Sequence, residues 1–185
     1  MFSRLVLPLL LSAASLSAQP AVPKPDIVKT GLFMLSTPTG NALLRLTPEG
    51  GILVDGPRAG EVTPLTKLSR RTTDNAVRAS MVTEGAIVMS GAMHFGPIEV
   101  KVIPMGAVRS AGDTAIYFAD LKVVAAGRLL TRPAVKTSAS DNLEQWKRAV
   151  DALLQLDFDT AIPAIGPAMD RAAVERFRAD LNAAQ

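Results

Sequence analysis

The sequence has no cysteine and a single histidine. The first absence removes disulfides, thiolate metal ligands and a cysteine nucleophile together. The second leaves His94 as the sole imidazole, and one histidine cannot build a zinc site, which takes roughly three or four protein ligands. Aromatic side chains are also scarce, with one Trp and one Tyr. Apart from the Arg70-Arg71 pair the basic residues are scattered and have no aromatic platform beside them, so nucleic-acid binding has little support. The formal net charge of +3 is that of an ordinary soluble chain. No apolar run reaches the ~20 residues that a bilayer-spanning helix needs.

What is present begins with a leader. Arg4, the apolar stretch Leu5 to Leu11 interrupted by Pro8, and the small residues Ser15, Ser17 and Ala18 make residues 1–18 read as a secretory signal peptide. The expected location is therefore periplasmic or secreted. Freedom from cysteine does not conflict with export, because a chain of this size can bury enough apolar surface without disulfides. Residues 19–30 (QPAVPKPDIVKT) read as an extended, proline-rich lead-in, and residues 31–185 as one domain.

The stretch Gly112 to Gly127 organises that domain. Thr114, Ile116 and Phe118 alternate with Ala115 and Tyr117, a turn follows at Ala119-Asp120, and Leu121 to Ala126 is a second apolar run. Nearly every position is apolar, which predicts a hairpin inside a layered fold. Upstream, Gly31–Leu35, Asn41–Leu46 and Ile52–Val54 are three strands punctuated by Gly-containing turns. Residues 60–71 form a helix with Val62, Leu65 and Leu68 on one face and Pro64 in its first turn. Asn75 to Glu84 is a further strand, and Ile98 to Ile103 follows a loop that holds His94. Downstream, Ser140-Asp141-Asn142 caps a helix with Leu143, Trp146, Val150, Leu153 and Leu154 on its apolar stripe and Glu144 with Arg148 spaced i,i+4. Phe158 to Pro163 is a final strand, and Asp170 caps a helix that presents Val174, Phe177 and Leu181 on one face and pairs Arg171 with Glu175.

In order along the chain, Ile52-Leu53-Val54-Asp55-Gly56, Val82-Thr83, Ser110-Ala111-Gly112-Asp113, Gly127 and Ala164-Ile165-Gly166-Pro167 resemble the landmarks of the metallo-β-lactamase fold. The resemblance runs from about Gly31 to Leu181. It implies an α/β (α+β) fold, an αββα sandwich of the metallo-β-lactamase type, in truncated form, because the His-x-His-x-Asp-His segment and the helix behind it have no counterpart. Family members place zinc ligands after the Thr, before the Gly-Asp turn, after the hairpin glycine and in the closing turn. Here those slots hold Glu84, Arg109, Arg128 and Ile165, so the resemblance implies a fold without its catalytic metal: no cofactor, no metal ligand and no catalytic residue.

Two alternatives stay open for the vacated slots. Glu84 bridges Arg109 and Arg128 as a charged cluster in place of the metal, or all three point to solvent. Asp55 either supports that site, as the resemblance implies, or shapes a local Asx turn or N-cap. Trp146 is expected in the core and His94 on a turn or the surface. The function expected is non-catalytic: binding a small anionic ligand at Glu84, Arg109, Arg128 and Asp55, or contacting an envelope protein. The alternative is a zinc-dependent hydrolase of the metallo-β-lactamase fold with an unconventional site.

Overall fold

The glycine turns of the first half fold its strands into a meander. Strands β1 (Asp26–Lys29), β2 (Leu32–Thr37), β3 (Gly40–Thr47) and β4 (Gly50–Val54) pair antiparallel in sequence, and β5 (Val77–Met81) adds parallel to β4, giving a five-stranded sheet. The structure is a computed structural model that describes residues 24–37, 39–56, 64–72, 77–85, 90–131 and 143–183. The second sheet has six strands in the order β11-β10-β9-β8-β7-β6: β6 (Gly91–Phe95), β7 (Ile98–Gly106), β8 (Asp113–Phe118), β9 (Val123–Gly127), β10 (Thr160–Pro163) and β11 (Met169–Asp170). Only β9 and β10 run parallel within it. Among the described residues three α-helices complete the fold: α1 (Pro64–Thr72), α2 (Leu143–Leu154) and α3 (Arg171–Ala183).

The expected central hairpin is β8 and β9, and its parity explains why nearly all its residues are apolar. Successive side chains in a strand point to opposite faces. Ile116, Phe118, Val123 and Ala125 pack against Leu32, Met34, Leu43, Ile52 and Val54 of the first sheet. Ala115, Tyr117, Val124 and Ala126 face the other way, onto Trp146, Val150 and Leu153 of α2 and Val174, Phe177 and Leu181 of α3. A third cluster joins Leu35, Leu44 and Leu53 to Leu65 of α1. The layers are thus α1, first sheet, second sheet, then α2 with α3, an αββα sandwich. Polar ties fix the sheets to each other: Arg45 of β3 donates to Asp120 at 2.6 Å, and buried Asn41 donates to the carbonyls of Pro163 and Gly166.

Several elements differ in detail from the sequence reading. The end of the lead-in, Asp26–Lys29, adds an edge strand to the first sheet. In the central hairpin a 3-10 turn spans Ala119–Leu121, and Lys122 at φ 54° reverses the chain, so the second strand begins at Val123. His94 lies on strand β6 and not in a loop. Glu144 pairs with Lys147 at 2.9 Å in place of Arg148, and Lys147 is itself buried. Arg171 does meet Glu175, at 3.6 Å, and Asp170 caps α3 through the amide of Ala173. Between β5 and β6 the chain has only residues 82–90. The leader, residues 57–63 and 73–76, the apolar run at 86–89 and the Ser140-Asp141-Asn142 cap lie outside the described residues.

Candidate functional site

At one end of the sandwich the chain crosses from the first sheet to the second through Thr83, Glu84 and Gly85. Asp55 extends the β4–β5 pairing by one step, its amide donating to the Met81 carbonyl at 2.9 Å. It then turns its carboxylate across, held by a left-handed backbone at φ 49°. Both oxygens are engaged: Oδ1 accepts the Thr83 amide and Oδ2 the Thr83 hydroxyl, each at 2.7 Å. This pairing spans 28 positions of sequence, so the partner described for Asp55 is a distant residue; the segment after it, where an Asx turn or N-cap would form, lies outside the described residues. The Thr83 carbonyl accepts from the Thr114 amide at 2.9 Å, the Gly85 amide donates to Gly112 at 3.1 Å, and Glu84 bridges to Asp113. Thr83 is therefore bonded to both sheets, and its side chain packs on Gly127 at the end of β9.

Asp113 closes the turn that opens β8. Buried, with 1 % exposure, it gathers the amides of Val108, Arg109 and Ser110 on Oδ2 and the Ser110 hydroxyl on Oδ1, at 2.6–3.1 Å. That loop lays Arg109 against α2, where its guanidinium carbon sits 4.7 Å over the Trp146 ring. Trp146 itself is in the core, with its indole N–H donating to the Leu129 carbonyl at 2.7 Å.

Of the four residues singled out in the sequence, the structure joins Glu84 to Arg128. Their closest atoms are 3.4 Å apart with both side chains partly exposed, a loose surface pair. Arg109 is placed on Trp146, and Asp55 lies near enough to raise the Glu84 carboxyl electrostatically. Burial is the main cause of the upward shift at Glu84, with Asp55 and Asp113 adding to it and Arg128 opposing it. Asp55 is also raised, again chiefly by burial and against the bonds from Thr83.

A cleft of about 530 Å³ opens here, lined among others by Leu35, Thr37, Asn41, Asp55, Val82 and Glu84. No arginine or lysine is among its described lining residues. Of the three large apolar side chains most exposed among the described residues, two frame it: Val82 lines it and Ile165 follows its lining residue Ala164.

These residues do not fit a zinc ion. Asp55 and Asp113 are already engaged by two and four protein donors respectively, and Glu84 faces a guanidinium that repels a divalent cation. His94 is on β6, 3.4 Å from Glu99. Among the described residues no group of three or more His, Cys, Asp or Glu is placed to hold a metal.

The raised Asp55 carboxyl has a consequence for stability. The native state holds its proton where the unfolded chain has released it, so this contribution is complete below the unfolded value near 3.8 and is lost as pH rises through the native one. Asp55→Asn keeps both bonds, its carbonyl accepting from the Thr83 amide and its NH₂ donating to the hydroxyl, but does not titrate. The expected result is that the melting temperature of Asp55→Asn, relative to wild type, climbs from about pH 4 to neutrality. A constant difference across that range would contradict the burial argument.

Two face-to-face mixed sheets with helices on both outer faces and a cleft at the strand ends define the metallo-β-lactamase fold. Solved structures bear this out. The metallo-β-lactamase IND-7 superposes with a TM-score of 0.68 at 16 % identity, covering 89 % of this chain and 100 % of its own. An Erythrobacter litoralis metallo-β-lactamase gives 0.66 at 15 % identity, covering 86 % and 92 %, and one from Pontibacter korlensis 0.64 at 14 %, covering 86 % and 99 %. At such identities the likeness is one of fold. No protein-family profile and no curated protein matches the chain.

The sequence reading missed the Asp55–Thr83 clasp and the part Asn41 takes in the cleft. Thr83 was visible as a landmark, but nothing local signals a partner 28 residues away.

Proposed function

We propose that this chain is an exported, metal-free module on the metallo-β-lactamase fold that binds a small molecule in the cleft between Asn41, Asp55 and Glu84 without hydrolysing it. The observation that carries this reading is the engagement of the Asp55 and Asp113 carboxylates by protein donors, with a cleft of ligand size left beside them. Hydrolysis on this fold depends on a metal to activate water, and the donors present do not form a set for one. The hydroxyls of Thr83 and Ser110, which flank the site, donate to Asp55 and Asp113, and the single histidine lies beside Glu99 on a different strand pair. Export rests on the leader pattern of residues 1–18.

A second reading is contact with an envelope protein, supported by exposed Val82 and Ile165 at the cleft mouth. The zinc hydrolase with an unconventional site is the reading to be displaced. The test is the metal content of protein purified without a histidine tag, with its melting temperature measured in added zinc and in chelator. The expected outcome is no stoichiometric zinc and no shift in either condition. Near-stoichiometric zinc, or a melting point that falls on chelation, would restore the hydrolase.

A further inference from the structure

The charged groups that line the cleft among the described residues differ from those of the vacated ligand slots. The sequence offers two arginines there and hence an anionic ligand. In the structure one arginine is stacked on Trp146, the other lies 3.4 Å from Glu84, and neither is among the described lining residues. The ionisable groups among those lining residues are Asp55 and Glu84, both carboxylates. They share the space with neutral Thr37, Thr39 and Asn41 and with apolar Leu35, Ala42 and Val82, while Ile165 stands exposed beside it.

We infer that the cleft takes a cationic ligand of the protonated-amine class, carried on an apolar body, in preference to an anion. This rests on the proposal that the cleft binds a small molecule, and it names that molecule's charge. An anion entering would face two carboxylates in a partly desolvated space, with Arg128, already shared with Glu84, the cation beside them among the described residues. An ammonium group finds acceptors. An ionised carboxylate has about four lone-pair sites; Asp55 has two described bonds, and Glu84 one long one to Arg128. Burial disfavours both charges, as the direction of their pKa shifts agrees, so a cation placed between them relieves a cost the free protein carries. Its organic remainder has Val82 and Leu35 to cover, two apolar surfaces that line the same space. A metal dication would need more donors than these carboxylates supply; an ammonium needs only hydrogen-bond acceptors.

Arg128 acts as the built-in competitor for Glu84, which gives the inference a signature of its own. The experiment titrates hexylamine, hexan-1-ol and hexanoate, three probes that share one apolar body, into the ¹⁵N-labelled chain and reads the amide signals of Gly40, Asn41, Ala42, Gly56 and Glu84. Hexylamine is expected to move these signals and to bind at least about fivefold more tightly than hexan-1-ol, with hexanoate weakest. Glu84→Gln, a partly exposed site whose loss leaves the Asp55–Thr83 clasp in place, is expected to weaken hexylamine by about fivefold and leave hexan-1-ol unchanged. Arg128→Gln is expected to tighten hexylamine.

Hexanoate binding more tightly than hexylamine, or hexylamine no tighter than hexan-1-ol, would overturn the charge assignment while leaving a ligand cleft. An unchanged hexylamine affinity in Glu84→Gln would do the same. If none of the three probes moves these signals at about 10 mM, a concentration that reveals even weak ligands, both the inference and the ligand-binding proposal fall.

Discussion

Gly127→Ala is expected to destabilise the protein by about 3–5 kcal/mol, within the large-effect class that steric insertion at a special backbone site produces, which lowers the melting temperature by roughly 10 °C for a chain of this size. Two effects combine. Gly127 sits at φ 52°, ψ −134°, a region that side-chain-bearing residues rarely enter. A Cβ there would also lie 2.7 Å from the Thr83 Cβ and closer still to its hydroxyl. Thr83 cannot step aside, because its amide and hydroxyl are held by Asp55 and its carbonyl by the Thr114 amide. Displacing it would therefore break the clasp that joins the first sheet to the second, and with it the wall of the cleft. Gly166 separates the two effects: it has φ 104° with nothing within 4 Å of an added Cβ, so Gly166→Ala should cost only the backbone part, about 1–2 kcal/mol. Thermal or urea unfolding of both variants decides the matter. Equal losses would mean that backbone strain alone explains Gly127 and that Thr83 is not a fixed post.

The clasp also joins the two sheets at this end of the fold. For Glu84, Arg109 and Arg128 the sequence leaves open a charged cluster in place of the metal or three side chains in solvent. The structure makes the connection with groups that cost less to bury: a threonine shared by one carboxylate and two sheets, and a second carboxylate surrounded by amides. A carboxylate that accepts several N–H bonds keeps its charge compensated without a buried counterion, whereas a desolvated guanidinium pair has to recover a large solvation penalty. The only ion pair among those three residues that the structure describes, Glu84 with Arg128, is correspondingly loose and half in solvent.

How far the sequence could be read follows from the range of the interactions. The β8–β9 hairpin was legible because both faces of each strand are buried, which leaves two short runs that are apolar at nearly every position, on either side of the Ala119–Lys122 turn. Helix α3 was legible because Val174, Phe177 and Leu181 repeat at helical spacing and Asp170 caps it from four residues away or less. The Asp113 turn lies within five residues of all its partners. Strand β6 was not legible: as an edge strand it leaves Gly91, Ala92 and His94 exposed, so the alternation that marks a half-buried strand is missing. The fates of Asp55 and Arg109 were hidden for a different reason. A carboxylate beside a strand end and an arginine in a loop are compatible with many partners, and the choice of Thr83 and Trp146 is made by tertiary packing. The charged residues that line the cleft among those described, Asp55 and Glu84, follow from those choices.

Asp113→Ala is the other change with a large expected effect, and it tests the same region from the opposite sheet. Truncating the carboxylate leaves the amides of Val108, Arg109 and Ser110 without their acceptor in a place where Asp113 itself is 1 % exposed. Each buried donor left unmade costs about 1–3 kcal/mol. The three are geometrically coupled and can relax together, so the total expected is about 3–5 kcal/mol, less than their sum. Asp113→Asn should lose far less, about 1–2 kcal/mol, because the amide oxygen can still accept from the backbone and its NH₂ can donate to the Ser110 hydroxyl once that hydroxyl rotates. The loop also carries Arg109 onto Trp146, the only tryptophan in the sequence. If the carboxylate is what holds the loop in place, Asp113→Ala should shift the tryptophan emission of the folded protein, as the guanidinium leaves the ring, whereas Asp113→Asn should leave it unchanged. A loss of stability with no change in emission would mean that Arg109 is anchored to the indole independently of the turn. An unchanged stability would mean that water replaces the carboxylate, and that the turn is more open to solvent than its burial indicates.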